Sequence, residues 1–182
     1  MMDVIDKSAV NTGAPNLVNV CIDGNEKDEI TGRLYSRYSE KPIPFDNMNC
    51  LLIQMDRLMD WIDFPQSYTK ERKFSDTSGS ICPAEEKVGG MSDKTDRIDA
   101  RWHAKANREG RRMKTTDEIL SEAGKKATFV VNVQYRQNAT WQGKVLWAET
   151  GRSRYFRSAL ELVKLIDGAL DEAQMEGSKE NL

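Results

Sequence analysis

The chain has 182 residues, a net charge of −2, and 38% hydrophobic residues against 31% charged. That balance is too polar for one well-filled core of this length, so part of the chain is expected to be solvated or disordered. The small net charge sets up no global field for nucleic acid or an anionic membrane, and no apolar run approaches the roughly 20 residues of a membrane span.

Residues 1–14 read as a disordered N-terminus. They carry Asp3, Asp6 and Lys7 and lack the basic-then-apolar order of a signal peptide. Cys21, Cys50 and Cys82 are an odd number of thiols with no CxxC spacing, which fits a reduced, cytoplasmic chain. Residues 15–66 give the order strand, strand, strand, helix. Val18, Val20 and Ile22 alternate on one face, a polar loop from Asp23 to Glu29 follows, Ile30 to Tyr38 forms a second strand, and a short third one reaches Phe45. Asp46 or Asn47 then caps a helix with the stripe Met48, Leu51, Leu52, Met55, Leu58, Met59 and Ile62, which Phe64-Pro65 stops.

Residues 67–126 lose this pattern. Ser75–Ser80 and Glu85–Asp96 are rich in Ser, Gly and charge and read as a flexible tether, with a basic helix expected near 99–113 and a short helical turn over Thr116–Ala123. Residues 127–174 then restore the earlier order. Phe129, Val131, Val133 and Tyr135 alternate as the inner face of a half-buried strand, and Trp141, Gly143, Val145 and Trp147 continue on a second. Gly151 marks a turn, Arg154 to Phe156 forms a third strand, and Ser158-Ala159-Leu160-Glu161 is a capping box. Leu162, Val163, Ile166, Ala169, Leu170 and Ala173 recur at helical spacing, and residues 175–182 read as a disordered tail.

The two patterned segments align at an offset of 111, which matches Gly32 with Gly143, Phe45 with Phe156, Leu51 with Leu162, Asp56 with Asp167 and Asp60 with Asp171. Val18-Asn19-Val20 matches Val131-Asn132-Val133 two residues out of step, which calls for a longer hairpin loop in the first segment. The expected fold is therefore α+β: two diverged βββα repeats, each an antiparallel three-stranded meander plus helix. They pack as a pseudo-twofold pair joined by a long polar linker.

The stretch from Ala127 to Gly143, continued from Phe156 to Asp167, resembles a domain of small uncharacterised proteins from clostridial bacteria. Met55 to Lys73, with Phe64-Pro65-Gln66, resembles the same family, and Tyr135 to Gly143 is the most specific part. No activity, ligand or catalytic residue goes with that family. The resemblance implies a bacterial, cytosolic setting and carries over no site.

Three groups of residues are candidates for function. Asp56/Asp60 and Asp167/Asp171 stand four apart on helices, a spacing that serves acid–base work, a hard cation or, more simply, an arginine partner. Arg136, Gln137, Asn138, Trp141 and Gln142 gather a guanidinium, amides and an indole at a hairpin tip, a set suited to a peptide or other polar ligand. Arg97, Arg101, Lys105, Arg108 and Arg112 would form one basic stripe on a helix and could track the phosphates of RNA or single-stranded nucleic acid. His103 is the single histidine, no phosphate-binding glycine loop occurs, and neither a catalytic constellation, a metal-ligand set nor a cofactor motif is found. The functional expectation is a non-catalytic adaptor acting on a protein partner, with RNA binding through the linker stripe as the alternative.

Overall fold

The computed structural model describes residues 10–26, 29–67, 113–138 and 140–179. These form β1 (Val18–Glu26), β2 (Glu29–Ser36), β3 (Ile43–Phe45) and α1 (Met48–Ile62), followed by α2 (Thr116–Leu120), β4 (Ala127–Tyr135), β5 (Gln142–Trp147), β6 (Arg152–Phe156) and α3 (Ala159–Lys179). The strands make a single sheet in the order β3-β2-β1-β4-β5-β6, antiparallel at every neighbouring pair. The α+β class is as expected. Among the described residues no helix is long and apolar enough to cross a membrane.

Local chemistry explains the helix ends. Asn47 accepts the Cys50 N–H at 2.7 Å to start α1, and Asp63 closes it in the left-handed region. Thr115 and Glu118 form a reciprocal capping box for α2. At α3, Ser158 Oγ accepts the Glu161 N–H, but the Glu161 carboxylate takes the N–H of Arg157 at 2.7 Å, one residue before the cap. Both long helices lie on one face of the sheet, and their stripes merge with it into one core. Leu51, Met55 and Met59 of α1 and Leu162, Ile166 and Leu170 of α3 are all buried there.

The strand registers share one offset. Ile22 pairs with Gly32 and Val133 with Gly143, while Gly32 pairs with Phe45 and Gly143 with Phe156. Both hairpins also carry a bulge at the same place, between Ile22 and Gly24 and between Val133 and Tyr135. The expected two-residue difference in loop length is thus corrected. β1 runs on past its bulge to Glu26, so Asp23 to Glu29 is mostly ladder rather than loop, and Val18 occupies the place of Phe129 rather than Val131.

The bulge corrects a second expectation. An extra residue in one strand shifts the alternation beyond it, so Tyr135 faces outward at 54% exposure while Arg136 turns inward. β4 is also buried on both faces, not half-buried, because the far side of the sheet is covered. Val10, Leu17 and Leu120 pack there against Val130 and Leu146, and Ile119 packs against Cys21 and Tyr35.

This cover comes from residues 10–14, expected to be disordered but holding the buried Val10 and Ala14, and from α2, which forms within the helical turn expected over Thr116–Ala123. On the other face α3 continues through residues 175–179, expected to be a disordered tail. Buried amides secure the cover. Asn16 Nδ2 donates to the Val133 carbonyl and Asn132 Nδ2 donates to Asn16 Oδ1, while Asn19 Nδ2 donates to the carbonyls of Ile119 and Glu122 at 2.7 and 2.8 Å.

Candidate functional site

The hairpin-tip residues divide between surface and interior. Gln137, Asn138 and Gln142 are exposed, and a turn closed by the Thr140 N–H on the Gln137 carbonyl holds Asn138 at φ 55°. Trp141 is partly buried against the helix-side core. Arg136 is 6% exposed, and its Nη2 reaches Asp56 Oδ1 at 2.9 Å and Asp60 Oδ1 at 2.5 Å. The structure therefore joins two of the sequence candidates: the guanidinium of the tip clamps the first carboxylate pair and ties β4 to α1. Asp167 and Asp171, by contrast, are exposed on α3 and form no ion pair among the described residues. Arg97, Arg101, His103, Lys105, Arg108 and Arg112 lie outside the described residues.

On the far side of the sheet Cys21 is fully buried, and burial pushes its thiol up to about 12. At that value the sulfur stays protonated and is no nucleophile. Beside it Asp23 receives Arg33 Nε at 2.7 Å and Nη2 at 3.0 Å, and these bonds hold the carboxyl below its ordinary range.

A cleft of about 240 Å³ opens between α3 and β6. Phe129, Val145 and Trp147 supply its floor, the side chains of Arg152 and Arg154 border it on β6, and Lys164, Leu165, Gly168, Ala169 and Glu172 form the α3 wall. Strand alternation explains the cationic rim, since Arg152 and Arg154 pair with Trp147 and Val145 and so share their face. Arg152 donates to Glu172 at 2.8 Å and lies over the indole of Trp147 at 4.9 Å. Arg154 and Lys164 make no ion pair among the described residues. Trp147 is 8% exposed, and its Nε1–H is buried without a hydrogen-bond partner there.

Gly168 stands in the middle of α3, where glycine costs about 1 kcal/mol relative to alanine. A Cβ placed on it would meet nothing within 4 Å. At the matching positions of α1 stand Arg57 and Leu58, with Trp61 in place of Glu172. Leu58 and Trp61 pack against Tyr38 and Ile62. None of the cleft residues was singled out as a site from sequence. The available signals were a glycine inside a helical stripe and two arginines alternating along a strand facing Trp147.

Comparison with protein-family models, curated proteins and solved structures returns no match. The resemblance carried by residues 127–167 gains no support from them.

Proposed function

We propose that the protein is a non-catalytic binding module: two diverged βββα copies build one sheet, and the cleft of the second copy takes a segment of a protein partner. Support for the duplication is the offset of 111 that recurs through both hairpins, both bulges and both glycine–phenylalanine pairings. The β1–β4 pairing fits it too. Val18 pairs with Val131 and Val20 with Phe129, around Asn19 and Val130, so the pairs exchange under a local twofold.

One observation carries the binding reading. The cleft joins an apolar floor to two cations, Arg154 and Lys164, that make no ion pair among the described residues. A partly apolar, anionic segment would complement both. Leu58 and Trp61 stand at the corresponding wall of the first copy and pack against Tyr38 and Ile62, which supports placing the binding in the second copy.

The test is affinity capture from extracts of the source cells, with tagged wild type beside an Arg154→Glu, Lys164→Glu double variant. The expected result is a protein that the wild type retains at least fivefold better than the variant. An identical set of captured proteins from both, or none from either, would overturn the reading.

A further inference from the structure

We infer that the α3–β6 cleft recognises an extended acidic peptide, which seats one apolar side chain beneath Gly168 and sets flanking carboxylates against Arg154 and Lys164. This rests on the binding-module reading above and names the chemistry of the partner.

The glycine is the first support. Among the described residues nothing lies within 4 Å of the place that a Cβ at position 168 would take, so the α3 wall stands open there. A glycine leaves room for an outside group to approach the α3 backbone closely. Trp147 is the second support, because with Phe129 and Val145 it lines an apolar floor on which one side chain can pack. Charge is the third. Glu172 already holds Arg152, which leaves Arg154 and Lys164 as the cations open to an anionic occupant.

The size and position of the cleft favour a peptide. At about 240 Å³ it lies below the ~300–1,000 Å³ common for whole small-molecule sites, and suits a single side chain. Among the described residues β6 is an edge strand, so alternate amide N–H and carbonyl groups along Arg152–Phe156 point outward, where an added strand would pair with them. Stacking of a nucleic-acid base is disfavoured, because the guanidinium of Arg152 already covers the Trp147 ring. Cations on an edge strand commonly serve only to block aggregation. That role accounts for Arg152 and Arg154 but not for Lys164 on the facing helix wall.

The experiment uses the full-length chain, labelled with ¹⁵N. Its probe is an acetylated hexapeptide alternating aspartate with leucine, and its controls are the same peptide with lysine for aspartate and a short oligouridine. The acidic peptide alone should shift the Trp147 indole N–H and the Gly168 amide. The Arg154→Glu, Lys164→Glu variant should bind it at least tenfold more weakly. Gly168→Ala should raise Tm by about 2–4 °C, since a helical glycine has been replaced, yet weaken the peptide at least fivefold.

Silence of both signals with the acidic peptide, shifts caused by the oligouridine, or unchanged affinity in Gly168→Ala would each overturn the inference. If the peptide is silent while cell extracts still yield a partner sensitive to Arg154 and Lys164, the acidic chemistry is wrong and the binding module stands. If both fail, the cleft is not a binding site.

Discussion

Asp23 occupies the bulge of the first hairpin, and its carboxylate is the acceptor for three donors: Arg33 Nε, Arg33 Nη2 and the Lys125 N–H. Because Arg33 chiefly, and Lys125 next, favour the ionised form, the native carboxyl titrates below its ordinary value of 3.8. A depressed native value means that the folded state releases this proton more readily than the unfolded chain. The resulting stabilisation is present above the ordinary carboxylate range and disappears as pH falls through the lowered native value. Asp23→Asn should therefore cost about 1–2 kcal/mol at pH 7, in line with charge-assisted bonds that are partly exposed. In urea unfolding the gap from wild type should close below about pH 3, in the range where the ordinary carboxyl is protonated. A gap independent of pH would show that Asp23 acts through shape rather than charge. Arg136, just past the second bulge, does different work, because it links the end of β4 to α1 and holds Asp56 and Asp60 together.

At the scale of the elements, each three-stranded meander depends on a glycine under a phenylalanine ring. A Cβ on Gly143 would lie 2.2 Å from the Asn132 carbonyl oxygen and 2.7 Å from the ring of Phe156, and Gly32 meets Cys21 and Phe45 in the same way. Backbone on one side and a buried ring on the other leave little room to relax, so Gly143→Ala should cost about 3 kcal/mol or more. Chemical denaturation would measure this, and a loss below about 1 kcal/mol would show that the ring can move aside. These glycines were legible in the sequence because two strands and a helix at fixed distances pointed to them. The capped helices and the order of strands along the chain were legible for the same reason, because periodicity and end signals are local, whereas the β1–β4 seam that makes one sheet of six strands was not. Tyr135 and Arg136 were misjudged because a bulge reverses alternation without leaving a mark in composition. The turn over Thr116–Ala123 was legible as a helix, but its burial and that of Val10 were not, because both depend on a sheet face that forms only in the assembled fold. The cleft was hidden for a related reason, since Trp147 and Gly168 look like ordinary core and helix positions until α3 is laid beside β6.

For the molecule as a whole, the two halves of the described chain are joined by direct contacts. β1 and β4 pair over Val18–Ile22 and Ala127–Val131 in the middle of the sheet, and the core beneath them is continuous from α1 to α3. Arg136 grips α1 from one side, while Asn19 holds α2 and the Lys114 N–H donates to the Arg37 carbonyl on the other. Each half alone would expose a central strand edge and part of this shared core, and a βββα unit of that size is marginal in isolation. Residues 1–67 and 113–182, co-expressed as separate chains with a tag on one, should therefore co-purify in equal amounts as one folded heterodimer. Its thermal midpoint should rise with protein concentration, because association is now bimolecular. Either fragment folding by itself as a stable monomer would contradict this, and would mean that the β1–β4 seam joins two independent domains rather than completing one.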